Sequence, residues 1–168
     1  LPPYGFYWFQ LAPTNQMPSW HQAPVDVMPD FQTLVFKRLD TLDSTCKRTL
    51  ENHSLPAYLP KRRWFASKGA PIDSIKICYS VPFGNPQRPV LFSEIAVESG
   101  GNTELYQLPL GFLPESEFGT ALPQQLAMAR VRRGPQVGLL TDAFTLEQFV
   151  LAVIQGLRGK KSPFIRTP

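Results

Sequence analysis

Histidine and cysteine are scarce in this sequence, with two of each among 168 residues. His21 and His53 do not stand at metal-ligand spacing from each other or from Cys46 and Cys78, so no zinc site is predicted. The two cysteines form no C-x-x-C pair, and a chain of this length does not need a disulfide. This usage favours a reducing compartment, and we expect a cytoplasmic protein.

Long hydrophobic runs are also missing. No stretch approaches the roughly 18 apolar residues that would cross a bilayer, so no membrane contact is predicted. Charge of one sign is in only mild excess, because 17 Lys and Arg stand against 13 Asp and Glu. A net charge of +4 permits contact with polyanions without requiring it, and nucleic acid is not an expected partner.

Residue patterns typical of catalysis are absent from the sequence as well. No G-x-S-x-G pattern supports a serine nucleophile. The stretch GLRGKKS (156–162) differs from a phosphate-binding loop in its spacing, and it follows a predicted helix where that loop follows a strand. The acidic residues show no pairing that the sequence alone could assign to catalysis. We therefore predict no catalytic residue, no cofactor-binding residue and no metal ligand in this chain.

Proline is abundant, with 18 residues, and its distribution divides the chain. Residues 1–11, rich in aromatics, are predicted to form a strand. Residues 12–30 carry several prolines without hydrophobic periodicity and are predicted to be an extended linker. A domain is expected over 31–158, and 159–168 is interpreted as a lead-in to a further lobe. We expect the chain to be an excerpt from a longer polypeptide.

Hydrophobic periodicity within the predicted domain indicates both strands and helices. The last predicted helix has a capping-box pattern and an apolar face that continues to Leu157. The fold class that follows is α+β, with an antiparallel meander sheet packed against helices. The predicted elements are a strand at 31–37, a helix at 43–53, a helical turn at 55–60, strands at 72–81, 90–99, 103–112, 126–133 and 136–142, and a helix at 145–157.

The stretch LPAYLPKRRWFASKG (55–69) places three cations directly before two aromatic residues. One interpretation is a surface on which bases or sugars stack. The other is a structural turn, in which Trp64 and Phe65 enter the core and Arg63 is stacked or paired nearby. We favour the turn, and it predicts that the change Trp64→Ala strongly destabilises the domain.

The same stretch resembles the signature of the N-terminal cap domain of maltokinases, L-P-x-x-L-x-x-x-R-W-F-x-x-K-G. Two later stretches agree in order: ELYQLPLGF (104–112) is similar to the family's Y-x-L-P-L strand, and TDAF (141–144) to the pair that precedes the last helix of the cap. The resemblance covers about 45–158. The residues that carry it, interpreted as a structural signature, are Leu55, Pro56, Leu59, Arg63, Trp64, Phe65, Lys68, Gly69, Tyr106, Leu108, Pro109, Leu110, Asp142 and Ala143.

The resemblance implies a small cystatin-like cap, a curved antiparallel sheet with a helix, that rests on the ATP-binding lobe of a kinase. A kinase of this family transfers the γ-phosphoryl group of ATP to maltose and gives maltose 1-phosphate. Its nucleotide-binding lysine, catalytic aspartate and magnesium ligands would lie beyond the cap. ATP and Mg²⁺ are therefore implied for the parent enzyme and not for this chain.

The first eleven residues, LPPYGFYWFQL, resemble the closing strand of the C-terminal β domain of trehalose synthases. Together the two resemblances imply a fused trehalose synthase–maltokinase. The implied partners are then the kinase ATP-binding lobe and the trehalose synthase domain of the same parent chain, with oligomerisation left open. An independent module that binds glucan or single-stranded nucleic acid remains the alternative.

Overall fold

A six-stranded, curled sheet forms the centre of this protein, which is described by a computed structural model over residues 31–118 and 121–158. The predictions for 1–11, 12–30 and 159–168 lie outside the described residues. The strands are β1 (Thr33–Val35), β2 (Ile72–Phe83), β3 (Val90–Ser99), β4 (Asn102–Pro114), β5 (Ala127–Arg133) and β6 (Gln136–Asp142), arranged in the order β1-β5-β6-β4-β3-β2.

The predicted antiparallel meander is confirmed for most of the sheet. β2, β3 and β4 pair in sequence order, and β5 pairs with β6, all antiparallel. Two features differ from a simple meander: β6 rather than β5 lies beside β4, and β1 joins β5 in parallel. Since a parallel pair requires a crossover, the helical segment and three strands lie between β1 and β5 in the sequence.

One continuous helical segment, residues 44–61, replaces the predicted helix and separate turn. It runs through α1 (Ser44–Thr49), a π-helical turn (Leu50–Ser54), α2 (Leu55–Tyr58) and a 3₁₀ turn (Leu59–Lys61). Asp43 caps its start by accepting a hydrogen bond from the Cys46 N–H at 2.8 Å. Pro56 does not break it, because a proline is tolerated in a first helical turn and the π-helical turn leads directly into α2.

Two hydrophobic clusters lie on the two faces of the sheet. The larger one joins the helical segment to the sheet and includes Leu91, whereas its neighbour Val90 belongs to the smaller cluster. Successive strand residues point to opposite faces, so adjacent positions in β3 serve different clusters. The smaller cluster contains Phe83, Val90, Leu113, Ala143, Leu146, Phe149 and Ala152.

The last helix, α4 (Glu147–Arg158), covers the smaller cluster. It begins later than predicted because Ala143–Thr145 form a 3₁₀ turn. Its apolar residues do not form one buried face, as expected from the sequence. Phe149 is buried, whereas Ile154 and Leu157 are exposed. In the residues described by the structure, no helix has both the length and the hydrophobicity needed to cross a lipid bilayer.

Candidate functional site

The turn that follows the helical segment begins with a cation over an aromatic ring. The guanidinium carbon of Arg62 lies 4.5 Å from the centroid of the Tyr58 ring, at cation–π distance. The Arg62 N–H closes the 3₁₀ turn by donating to the Leu59 carbonyl at 2.9 Å. The sequence interpretation gave the stacked role to Arg63. That side chain is exposed, and its neighbour Arg62 takes the position, because Arg62 follows Tyr58 by one helical turn.

The two aromatic residues of the turn have different environments. Phe65 is 2% exposed and belongs to the larger hydrophobic cluster, as predicted. Trp64 is 44% exposed, so its predicted burial is wrong. The core accepts the ring of Phe65, while Trp64 keeps one side on the Tyr106 ring, with centroids 5.6 Å apart.

Tyr106 on β4 anchors this turn to the sheet. Its ring centroid lies 5.5 Å from that of Phe65, and its hydroxyl accepts the Ala66 N–H at 3.2 Å. The same hydroxyl donates to Glu104, which also accepts a bond from the Ser67 hydroxyl at 3.1 Å. Partial burial, together with the Glu104 carboxylate, raises the pKa of Tyr106. The tyrosine therefore remains a donor at neutral pH and holds the turn in place.

Asp142, at the end of β6, is a second junction. It is 4% exposed, and its carboxylate accepts hydrogen bonds from the Tyr58 hydroxyl at 3.3 Å and the Phe144 N–H at 3.0 Å. Burial raises the pKa of this carboxyl, although both hydrogen bonds and the charge of Arg62 act in the opposite direction. The sequence analysis placed Asp142 ahead of a helix but did not connect it with Tyr58.

The remaining signature residues fall into two groups. Arg63, Lys68 and Gly69 are exposed, and the structure does not bring their side chains into the clusters above. The others pack into the domain, with Pro56 half-buried. The buried ones are Leu55, Leu59, Leu108, Pro109, Leu110 and Ala143. Most of the signature is thus structural, in agreement with the interpretation of the sequence.

Three contributors to this region were missed in the sequence: Tyr58, Arg62 and Glu104. The spacing of Tyr58 and Arg62 along one helical segment was available as a signal, since residues four apart share a face. The partners across the sheet had no such signal. Within 31–118 and 121–158, no group of three His, Cys, Asp or Glu side chains could hold a metal ion.

The comparisons with known proteins give one family match. The family model described as the maltokinase N-terminal cap domain matches residues 58–145, which is more than half of the chain. That range includes both junctions, at Tyr106 and at Asp142, and leaves out Leu55 and Pro56 of the signature. No curated protein and no solved structure matches the chain. The chain belongs to the maltokinase N-terminal cap domain family.

Proposed function

We propose that this chain is the non-catalytic cap of a maltokinase within a fused trehalose synthase–maltokinase. The parent enzyme would use ATP and Mg²⁺ to convert maltose to maltose 1-phosphate and would also interconvert maltose and trehalose. Family membership supports the kinase part of this proposal. Both cysteines in the chain are free thiols, which supports a cytoplasmic location.

The observation that carries the proposal is the exposed face of α4. We call this surface the outer α4 face and define it as Val150, Leu151, Ile154 and Leu157, which are 48%, 48%, 40% and 82% exposed. Positions 150, 154 and 157 follow helical spacing and form one apolar stripe. Contiguous apolar surface of this kind is typical of a docking site. The partner we propose for it is the ATP-binding lobe of the kinase.

The first test compares ATP consumption in the presence of maltose by this chain alone and by the full-length natural protein. We expect turnover from the full-length protein only. Turnover by this chain alone would contradict the non-catalytic assignment. If neither protein phosphorylates maltose, the proposed parent activity is wrong.

The second test concerns docking. In the full-length protein, the double change Ile154→Gln and Leu157→Gln should lower maltose phosphorylation several-fold, because the polar amides weaken an apolar interface. Leu105→Gln is the matched control, since Leu105 is 63% exposed on β4, away from α4. The melting temperature of the 168-residue chain should change little in either variant. Equal activity of the double variant and the control would contradict docking through α4.

One observation favours the alternative, a module that binds glucan or single-stranded nucleic acid. Trp64 is 44% exposed beside Tyr106, as a stacking surface would require. A chain with Trp8→Phe and Trp20→Phe leaves Trp64 as the tryptophan reporter. Its fluorescence should change on titration with a linear maltooligosaccharide or with oligo-dT if this alternative is correct. A spectrum that does not respond to either ligand would exclude it.

A further inference from the structure

A cavity of about 240 Å³ lies between the helical segment and the beginning of β5. Its wall includes Ser54, Lys61 and Arg62 from the helical segment and Gln32 and Gln125 from the two sides of the sheet. The volume is many times the roughly 15 Å³ that one water molecule needs, and it is slightly below the range of drug-sized pockets. The cavity therefore suits a small ligand.

Two polar atoms of this wall have no hydrogen-bond partner within the described part of the chain: the Ser54 hydroxyl oxygen and the Arg62 Nε. Ser54 is 6% exposed, so its hydroxyl is also largely shielded from bulk solvent. An arginine Nε can only donate, and a serine hydroxyl can donate as well. Stacking on the Tyr58 ring restrains the guanidinium plane. The two atoms are thus available as donors to one acceptor group.

The charge of the wall indicates the kind of acceptor. Lys61 and Arg62 supply two positive charges, and the lining within the described residues includes no Asp or Glu. An oxyanion with close to two negative charges matches this arrangement, and a phosphate monoester carries about that charge at neutral pH. The amides of Gln32 and Gln125 can bond hydroxyl groups of the esterified part.

We propose that this cavity binds a small phosphate monoester of a polyhydroxylated compound. The Ser54 hydroxyl and the Arg62 Nε–H donate to phosphate oxygens, Lys61 neutralises the remaining charge, and the two glutamines contact the hydroxylated part. This proposal rests on the cavity alone and is independent of docking through α4.

The test uses the 168-residue chain with ¹⁵N labelling and glucose 1-phosphate as the probe. We expect a saturable shift of the Arg62 Nε–H resonance, a weaker response to inorganic phosphate and no response to glucose. Inorganic phosphate that binds as tightly as glucose 1-phosphate would overturn the role of the glutamines. A lack of saturable shifts with either phosphate would overturn the site.

Three variants separate this site from general attraction by positive charge. Arg62→Gln should weaken glucose 1-phosphate binding by about tenfold or more, and Ser54→Ala by roughly fivefold. Arg63→Gln removes a neighbouring exposed cation outside the cavity wall and should leave the affinity unchanged. Equal losses in Arg62→Gln and Arg63→Gln would overturn the proposal. If Arg62→Gln does not fold, unchanged binding by Ser54→Ala overturns it.

Discussion

The hydroxyl of Tyr58 donates a hydrogen bond to the carboxylate of Asp142 across 84 positions of the sequence. This bond joins the end of α2 to the turn that leads into α4. The same aspartate fixes that turn twice, because its side chain accepts the Phe144 N–H and its carbonyl accepts the Thr145 hydroxyl at 2.9 Å. One buried carboxyl thus links the two helical parts of the cap through the sheet.

Asp142 should make the stability of the domain fall with rising pH. Its pKa is raised above the ordinary 3.8, so the folded state binds this proton more tightly than the unfolded state. The free energy of unfolding therefore decreases from about pH 3.8 upward until the raised pKa is passed. The variant Asp142→Asn lacks this contribution. Its stability relative to the wild type, measured by urea unfolding, should increase across that interval.

Asp40 is the matched control for this pH dependence, with the opposite sign. Its hydrogen bond with Arg38 lowers its pKa below 3.8, so its contribution is present above that value and is lost as the pH falls through the lowered pKa. Asp40→Asn should therefore lose stability relative to the wild type as the pH rises. A pH-independent difference between Asp142→Asn and the wild type would contradict the assignment to Asp142.

The two aromatic residues of the turn should respond differently to truncation. Phe65→Ala opens a cavity in the larger cluster and should cost about 3–5 kcal/mol of unfolding free energy. Trp64→Ala removes mainly the ring contact with Tyr106 and should cost about 1 kcal/mol. Thermal or urea unfolding of both variants measures the difference. Equal costs would show that the turn buries Trp64 in solution, as the sequence first indicated.

Gly138 on β6 should not tolerate a side chain. A Cβ placed there would lie 2.2 Å from the Leu113 carbonyl oxygen, and a backbone atom of a paired strand cannot move away easily. Gly138→Ala should therefore cost about 3 kcal/mol. Gly69→Ala is the control, since nothing lies within 4 Å of its Cβ position, and its stability should change by less than about 1 kcal/mol. Similar melting temperatures for both variants would refute this close approach of β4 and β6.

The two thiols should differ in reactivity. Burial, together with the Asp43 carboxylate, raises the pKa of Cys46 to about 12, and its thiol donates to the Val35 carbonyl at 3.6 Å. Cys78 is exposed. Because the thiolate is the reactive form, a disulfide reagent such as DTNB should modify Cys78 in the native chain and Cys46 only after unfolding. A native Cys78→Ser variant that reacts rapidly would contradict this prediction.

Local patterns were sufficient to predict most of the elements. The period-two alternation in β3 and the glycine turn after it give strand bounds that match the structure within a few residues. The buried part of the signature, such as Leu59 and Phe65, was also predictable, since apolar residues at these spacings are usually in the core. Each of these features is determined by neighbours in the sequence.

Features that depend on distant partners were not predictable. The parallel pairing of β1 with β5 and the bond between Tyr58 and Asp142 join residues that no local pattern connects. The exposure of Ile154 and Leu157 was missed for a related reason. A helix whose apolar residues cover a wide arc has the same sequence whether that arc meets one partner or two.

The parallel pairing of β1 also determines the order of assembly during synthesis. β2, β3 and β4 follow one another closely in the sequence, so their hairpins can form as soon as they leave the ribosome. Thr33 must wait for Arg130, its partner in β5. Closing so long a loop costs more conformational entropy than closing a hairpin. The strand of the described domain that is translated first is therefore the last to join the sheet.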